Sequence, residues 1–299
     1  MSKFHTPVLL KETIEFLKVE KGQKYIDATL GGGDHTEKIL EKGGTVLGID
    51  CDLEAIKFCA KKFGLKLKRE GNETLAQNSR LTLVWQNFIN LKEEANHFGF
   101  VKVAGVIFDL GVSSYQLEDK GRGFSFEKNG PLDMRMDQRL KVTAADLINS
   151  LSRRQLEDLF KKFGQEKHYR AIAYAVVSSR LKKRIKTSDE LANLIESMIP
   201  RREKIHPATR AFMALRIAVN SELENLKQVL PQAADLLVSE GRLVVISFHS
   251  LEDRIVKQFF KERGDLEPLT KKPIVPSEAE MRENPHSRSA KLRIAEKIH

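Results

Sequence analysis

The first 110 residues alternate between short apolar runs and segments whose apolar residues recur at helical spacing. A helix is predicted after the glycines at 31–33, up to about residue 42, and the segment 53–63 has helical spacing. The last apolar run, 103–108, is apolar almost throughout, as expected for a strand buried on both faces. The pattern predicts four strands in this part of the chain: Lys24–Asp27, Thr45–Asp50, Leu81–Trp85 and 103–108. Strands that alternate with helices predict a doubly wound, mostly parallel sheet with right-handed crossovers.

The pattern changes after Asp109. Residues 111–137 are rich in Gly, Ser, Asp and Met without helix or strand periodicity, and a loop of that length in a compact protein is usually functional. Residues 144–217 are helical in pattern throughout. Ser152 is placed to cap one of these helices, and Thr187 with Glu190 has the spacing of a capping box.

The last third returns to the sheet pattern, with a helix predicted over 223–237 and a buried strand over 243–246. A loop punctuated by proline follows over 267–285, and 292–298 predicts a final edge strand. The fold class is therefore α/β, a doubly wound sheet that carries an inserted, mainly helical domain. The expected boundaries are 1–112 with 218–299 for the sheet domain, and 113–217 for the insertion.

The positive charge of the chain is concentrated in the predicted insertion. The whole chain has a formal charge of +10, from 51 Lys and Arg against 41 Asp and Glu. Residues 150–216 contain 16 Lys and Arg against 7 Asp and Glu, a surplus of 9. Such a surplus suits a phosphate-backbone partner, although a set of solvated helix faces is the plain alternative.

No segment has the length and apolar character of a membrane span, and the N-terminal residues lack a signal-peptide pattern, so we expect a cytoplasmic protein without a membrane partner. The two cysteines, Cys51 and Cys59, have neither zinc-ligand spacing nor an oxidising context. We therefore expect both to be packing residues, and we expect no metal site.

A glycine turn follows the first predicted strand and opens the next helix, with Gly31, Gly32 and Gly33 in succession. Asp50 ends the second strand 17 residues beyond Gly33, where a carboxylate can accept hydrogen bonds from ribose hydroxyls. A nicotinamide dinucleotide and S-adenosylmethionine both suit this arrangement. The dinucleotide motif would place a glycine at Thr36, so the spacing favours S-adenosylmethionine over a nicotinamide oxidoreductase.

The chain resembles the bacterial small-subunit (16S) ribosomal RNA cytosine-N4 methyltransferases, the MraW-like proteins, from end to end. The resemblance is carried by H-T-P-V-L-L at 5–10, D-L-G-V-S-S at 109–114, Q-L at 116–117, R-G-F-S-F at 122–126, P-L-D-M-R-M-D at 131–137, H-P-A-T-R at 206–210, V-N-S-E-L at 219–223, I-S-F-H-S-L-E-D-R at 246–254, N-P at 284–285 and S-R-S at 287–289. It implies a class I S-adenosylmethionine methyltransferase fold. It also implies methyl transfer to the exocyclic N4 of a cytidine in 16S ribosomal RNA, with the inserted domain recognising the RNA.

The resemblance also implies a cofactor site. Gly33, Asp34 and His35 match the turn over the methionine moiety, Asp50 matches the ribose-binding acid, Phe88 matches a residue beside the adenine, and Asp109 and Gln116 match further cofactor contacts. Two positions depart from the family: Asp34 stands where glycine is usual, and Met213 stands where glutamine is frequent. A side chain at Asp34 would crowd or repel the cofactor carboxylate.

Methylation of a cytosine amine requires a site that orients a weak nucleophile and accepts its proton. Asp109, together with Ser113 and Ser114, follows the fourth predicted strand and suits that task. The plain alternative is that Asp109 only caps the following turn. His249 and Asp253 follow a later strand and should reach the same edge, where ligands bind. The predicted catalytic residues are Asp109, Ser113 and His249.

Three arginines, Arg122, Arg135 and Arg139, lie in the predicted loop beside Phe124 and Phe126. They would either clamp phosphates beside an extruded base or hold a lid through internal Arg–Asp pairs. The expected partner is small-subunit ribosomal RNA within an assembled or assembling 30S subunit, and a homodimer is left open. After a nicotinamide oxidoreductase, the second alternative function is that of a non-catalytic RNA-binding protein. The intact glycine turn and the aspartates at the ends of the second and fourth strands argue against it.

Overall fold

The computed structural model describes residues 7–70, 73–126, 128–199 and 206–298. The helices are α1 Leu10–Leu17, α2 Asp34–Glu41, α3 Leu53–Lys62, α4 Leu91–His97, α5 Ser114–Glu118, α6 Ala144–Ser150, α7 Arg153–Lys162, α8 Tyr169–Arg180, α9 Ser188–Met198, α10 Thr209–Asn220, α11 Glu222–Leu236, α12 Ser250–Glu262 and α13 Glu278–Glu283. The strands are β1 Lys24–Asp27, β2 Thr45–Asp50, β3 Lys68–Glu70, β4 Glu73–Gln77, β5 Leu81–Trp85, β6 Val103–Asp109, β7 Leu237–Ser247, β8 Leu266–Pro268 and β9 Lys291–Lys297.

The chain divides into two compact units, Met1–Ser113 with Leu223–His299, and Ser114–Glu222. The predicted boundary at 217 falls inside α10, and the observed division instead follows the end of that helix. Within the described ranges, no helix is both long enough and apolar enough to cross a membrane.

The first unit is built on one sheet, whose nine strands in the described part of the chain follow the order β3-β4-β5-β2-β1-β6-β7-β9-β8. The strands β5, β2, β1, β6 and β7 pair in parallel, and the outer strands pair antiparallel. The predicted doubly wound α/β fold class is confirmed. Because β2 and β6 flank β1 on opposite sides, the chain reverses its direction of sheet growth at β1 and β6, where α/β sheets bind ligands.

Apolar cores cover both faces of this sheet. Helices α1, α2 and α3 bury side chains such as Leu17, Ile39 and Ile56 against one face. Helices α4, α11 and α12 pack against the other. Along β7, Val244 belongs to the first core and Val245 to the second, which is why the parallel strands are apolar almost throughout.

Two sequence expectations for the first unit were wrong, and one hairpin was missed. Segment 292–298 was predicted as an edge strand, but β9 lies between β7 and β8, since the short β8 pairs with its outer side. The β3–β4 hairpin was missed, because its polar sequence lacks a clear alternation. The predicted loop 267–285 contains β8 and α13.

The second unit is helical, as its pattern predicts. The Ser152 cap and the Thr187–Glu190 capping box are both present, so each satisfies backbone amides at a helix start. Apolar side chains from α7 to α10, including Leu156, Ile172 and Leu215, are fully buried. The long segment 111–137 was predicted without regular structure, but it contains α5 and a 3-10 turn at Lys120–Arg122.

Candidate active site at the carboxyl edge of the sheet

Three carboxylates end neighbouring parallel strands of the first unit: Asp27 on β1, Asp50 on β2 and Asp109 on β6. Asp27 is in register with Gly48 on one side and with Ile107 on the other. Since the strands are parallel, all three carboxylates reach the same edge of the sheet. This edge is the one at which the sequence predicts the site.

The glycine turn after β1 is fixed by its packing. Gly33 has a positive φ of 71°, and a Cβ there would lie 2.9 Å from Sγ of Cys59, so only glycine fits. Gly31 also has a positive φ, of 50°, but a Cβ there would meet only the Thr29 carbonyl, at 3.9 Å. The turn is therefore packed against the protein at Gly33 and open at Gly31.

Asp50 connects that turn to the start of α3. Its Oδ2 accepts a hydrogen bond from the Gly31 amide at 2.8 Å, and its Oδ1 accepts one from the Asp52 amide at 2.8 Å. Burial raises the pKa of Asp50 to about 7, although both amides favour the ionised form. Each carboxylate oxygen keeps a second lone pair, so Asp50 can accept two further hydrogen bonds.

A second set of buried polar residues lies around Asp109. The Asp109 amide donates to Oγ1 of Thr29 at 2.6 Å, and Oδ2 of Asp109 lies 3.9 Å from Nδ1 of His35. Asp27 is almost fully buried and accepts a hydrogen bond from Oγ1 of Thr36 at 2.8 Å. Burial raises the pKa of Asp27, while the neighbouring His35 and the Thr36 hydroxyl oppose that rise. Asp27 was not among the predicted site residues, although its position at a strand end before the turn is a usable signal.

Asp34, the departure from the family pattern, is held by a lysine. Nζ of Lys62 lies 2.9 Å from Oδ1 of Asp34, 3.1 Å from Oε2 of Glu37, and 3.2 Å from the Gly32 carbonyl. The ammonium therefore offsets the negative charge that Asp34 adds to the turn. Sequence reasoning missed Lys62, because nothing in the pattern connects two charged residues 28 positions apart.

Phe88 begins a short 3-10 turn three positions after the last residue of β5. Its ring packs edge-to-face on Phe108, with centroids 5.8 Å apart and planes at 89°. Phe108 immediately precedes Asp109 on β6, so the ring stands on the same edge of the sheet as the carboxylates. Phe88 therefore lies at this edge of the sheet, and its place beside an adenine stays a prediction.

His249 also reaches this edge, as the residue that caps α12. Its Nδ1 accepts a hydrogen bond from the Glu252 amide, and its Nε2 lies 3.2 Å from Oε1 of Glu252. Asp253 is bound to Arg293 at 2.6 Å and to Lys291 at 3.3 Å. Those cations hold the pKa of Asp253 below its usual range, although burial alone would raise it. The structure accounts for both residues as parts of the fold, and a role of His249 in methyl transfer stays a prediction.

Ser113 lies just beyond β6 and is partly buried, at the end of the first unit. Gln116 is buried on α5 and belongs to the second unit, as does Met213 on α10. The positions of Ser113 and Gln116 leave their predicted contacts as predictions. The motif residues His5 and Thr6 lie outside the described residues.

The loop arginines of the second unit form internal pairs. Arg135 binds Asp133 through two hydrogen bonds of 2.7 Å, and Arg139 binds Asp137 through its Nε and a terminal nitrogen. Buried Arg122 donates to the carbonyls of residues 135 and 136. Of the two hypotheses for these arginines, the structure shows the internal pairing.

Of the two cysteines, Cys59 is a packing residue of the core, and Cys51 is partly buried beside Asp50. Cys59 is fully buried in α3, and its burial raises the pKa of its thiol well above the ordinary range. Its Sγ lies 3.4 Å from the Gly31 carbonyl. Cys51 follows Asp50 and offers its backbone carbonyl to the Trp85 indole at 2.9 Å. A thiol with a raised pKa is a poor nucleophile, so Cys59 is unsuited to covalent chemistry.

This sequence is similar to known proteins over nearly its whole length. The profile of the MraW methylase family matches residues 2–298. Ribosomal RNA small subunit methyltransferase H of Persephonella marina is 44% identical over 302 residues, covering 98% of this chain and 99% of that protein. The protein of the same name from Thermomicrobium roseum is 45% identical over 320 residues, covering 100% and 95%. A solved methyltransferase from Streptococcus mutans, in complex with SAH, aligns with 98% of this chain and 99% of its own chain at 12% identity, with a TM-score of 0.46.

Proposed function

This chain belongs to the MraW methylase family, and on that premise we propose that it methylates the exocyclic N4 of a cytidine in small-subunit (16S) ribosomal RNA. S-adenosylmethionine is the methyl donor of the family. The observation that carries the RNA substrate is the full-length similarity to proteins named for methyl transfer to small-subunit ribosomal RNA. Cytosine as the target base rests on the resemblance to the 16S ribosomal RNA cytosine-N4 methyltransferases, and the chemistry of the edge supports an amine as the methyl acceptor.

The residues at the edge fit S-adenosylmethionine. The open side of Gly31 leaves room for a ligand beside the turn, and Asp50 retains acceptor capacity for two hydroxyl groups. The ring of Phe88 offers an apolar surface for an adenine. We assign Gly33, Asp34 and His35 to the methionine moiety, Asp50 to the ribose and Phe88 to the base, with Asp109 and Gln116 as further contacts.

The cofactor supplies an electrophilic methyl group on a sulfonium centre. The protein then has to orient the cytosine amine and accept its proton, since the amine lone pair is delocalised into the ring. Asp109 is the proposed acceptor, because it ends β6 at the switch point of the sheet and has His35 within 3.9 Å. Ser113 is proposed to orient the amine, and His249 to support the edge from the start of α12.

Two observations favour an amine over ring carbon C5. Methylation at C5 requires a cysteine thiolate that adds to the ring. Cys59 is buried with a raised thiol pKa, and Cys51 follows the proposed ribose acid, Asp50. Neither cysteine stands at the end of β6 beside Asp109. An exocyclic amine needs only orientation and a proton acceptor.

We propose the second unit as the RNA-recognition part, acting on the 16S RNA within an assembled or assembling 30S subunit in the cytoplasm. Its surplus of Lys and Arg supports this role, because neutralised phosphates release counterions.

The test uses 30S subunits and naked 16S RNA from a strain that lacks the gene, incubated with the purified protein and labelled S-adenosylmethionine. Nuclease digestion and mass spectrometry identify the labelled nucleoside. We expect N4-methylcytidine; label in a different nucleoside would refute the cytosine-N4 assignment, and no label in either RNA would refute RNA methylation altogether.

A further inference from the structure

Tyr174 lies on the outer side of α8, a helix that already has a complete buried face, and Tyr169 is the first residue of the same helix. Ile172, Ala173 and Val176 form that face and are fully buried. Tyr174 is 56% exposed, and Tyr169 is partly exposed at the start of the helix. Packing therefore explains the apolar residues of α8 but leaves an exposed aromatic ring at Tyr174.

At least one cationic side chain lies close to each tyrosine ring. The guanidinium of Arg153, at the start of α7, lies 5.4 Å from the ring centre of Tyr174. Nζ of Lys161, at the other end of α7, lies 5.6 Å from the Tyr169 ring, and the Arg170 guanidinium lies 5.4 Å from it. The rings are five residues apart on α8, about 7.5 Å along its axis. These five residues, Arg153, Lys161, Tyr169, Arg170 and Tyr174, are called the α7–α8 aromatic face.

The surroundings of this face are strongly basic. Residues 152–186, all of them described, contain eleven Lys and Arg against three Asp and Glu. Of the three acids, Glu166 is buried and accepts a hydrogen bond from the His168 amide. Glu157 and Asp158 form pairs with Arg153 and Lys162 one helical turn away. Exposed positive charge therefore dominates around the two rings.

We propose that the α7–α8 aromatic face binds unpaired RNA, with a base stacked on Tyr174 and phosphates held by Arg153, Lys161 and Arg170. Cations interleaved with exposed rings are the arrangement by which proteins hold single strands, because every base has a π-face and every nucleotide a phosphate. A duplex keeps its bases stacked inside and would meet only the cations. The proposal rests on the proposed function for its class of partner, RNA, and adds where that RNA is held.

The first test compares Tyr174→Leu with Tyr174→Phe in the full chain. The probe is a fluorescently labelled single-stranded RNA of about 12 nucleotides, and the same strand in duplex with its complement. Binding is followed by anisotropy over a series of salt concentrations. We expect Tyr174→Leu to lose roughly tenfold in affinity for the single strand, the order of one lost base stack, and to leave duplex affinity unchanged. Tyr174→Phe keeps the ring and should bind as the native chain does.

The salt dependence separates the ring from the charge. Tyr174→Leu removes no charge, so its salt slope should equal that of the native protein. Arg153→Gln should reduce the slope by about one contact. The matched control is Arg282→Gln, because Arg282 on α13 is also exposed and also paired with a glutamate four residues away, but it is not part of the α7–α8 aromatic face. That control should change neither affinity nor slope.

Two results would overturn the proposal. Unchanged single-strand affinity of Tyr174→Leu, with or without a lower melting temperature, would make the Arg153–Tyr174 pair an internal contact only. If Tyr174→Leu lost binding to intact 30S subunits but bound naked 16S RNA normally, the face would be a surface for a protein. Neither result bears on the proposed reaction, which is decided separately by the nucleoside that the native enzyme labels.

Discussion

The two units use charge in opposite ways. In the first unit, carboxylates at the ends of parallel strands are enclosed by the fold, and burial raises the pKa of both Asp27 and Asp50. In the second unit, cations stand on the surface of α7 and α8, where solvent screens them. Enclosed carboxylates act over hydrogen-bond distances and decide which group is bound and where a proton goes. Exposed cations act over about a Debye length and attract a polyanion whatever its sequence.

This contrast predicts that changes in the two units will be separable by salt. Substitutions at the sheet edge should alter cofactor binding or the chemical step similarly at low and high salt. Substitutions on the helical unit should alter RNA affinity, and less so as salt rises.

The largest effect is expected at Asp109. Asp109→Ala removes the proposed proton acceptor, and we expect the turnover number to fall by at least about a hundredfold, the range of a lost general base. RNA affinity should stay the same, because the second unit is untouched. Single-turnover methyl transfer with bound RNA measures the step directly. A turnover number within a few-fold of the native value would reduce Asp109 to a residue that caps the turn through its backbone.

Asp50→Ala should weaken S-adenosylmethionine binding by about 1–3 kcal/mol, because ribose hydroxyls lose their acceptor. The Gly31 amide also loses its partner, so thermal unfolding has to be measured alongside calorimetry. Unchanged cofactor affinity in a folded variant would remove Asp50 from the site.

The raised pKa of Asp50 adds a pH signature. An unfolded chain loses this proton near pH 3.9, whereas the folded chain keeps it to about pH 7. The contribution of Asp50 to the free energy of unfolding therefore falls as pH rises from about 4 to about 7. Ribose hydroxyls favour the carboxylate, so cofactor binding at pH 6 should release a proton from Asp50. Calorimetry in two buffers of different ionisation enthalpy detects that proton, and Asp50→Asn should abolish its release.

A smaller effect is expected for the cations after α8. Lys183 is bound to Glu190, which also caps α9, so reversing Lys183 would disturb the fold. Lys182→Glu with Arg184→Glu avoids that contact and should weaken RNA binding about tenfold at low salt. The salt slope should flatten, and cofactor affinity should not change. Equal slopes in the variant and the native chain would make these cations a solvated face.

The smallest effect is expected where Lys62 offsets Asp34. Lys62→Met leaves the Asp34 carboxylate to repel the methionine carboxylate of the cofactor, so binding should weaken on the order of threefold to tenfold. Combining it with Asp34→Gly should restore affinity. Methylthioadenosine lacks that carboxylate and should bind all variants equally. Lys57→Met is the matched control, since Lys57 lies on the same helix and pairs with Glu54 instead. A loss that Asp34→Gly fails to restore would contradict the account.

The sequence predicted the buried parts of the fold well, because burial imposes a pattern. The parallel strands are apolar on both faces, and the Ser152 and Thr187 caps have fixed local spacing. The β3–β4 hairpin was missed, since exposed residues such as Lys68 and Arg69 show no apolar alternation. The place of β9 was wrong because a strand of three residues, β8, gives too short a signal to predict.

The residues of the site likewise fall into those that the sequence predicted and those that it did not. Asp50 and Asp109 were predictable, because each ends an apolar strand and the topology brings strand ends together. The ion pair between Lys62 and Asp34 was not predictable, since two flexible side chains from separate helices meet only in the folded chain. The pairing of Arg135 with Asp133 was left open beside a phosphate clamp, because a charge pattern alone does not distinguish a bound partner from an internal one.

The nucleoside formed by three versions of the enzyme tests the central claim most directly. The native chain, Cys51→Ala with Cys59→Ala, and Asp109→Ala are each incubated with unmethylated 30S subunits and S-adenosylmethionine, and the digested RNA is analysed by mass spectrometry. We predict N4-methylcytidine from the native chain and from the cysteine variant at nearly equal yield, and almost none from Asp109→Ala. The appearance of 5-methylcytidine, or loss of product from a folded cysteine variant, would contradict amine methylation at the Asp109 edge.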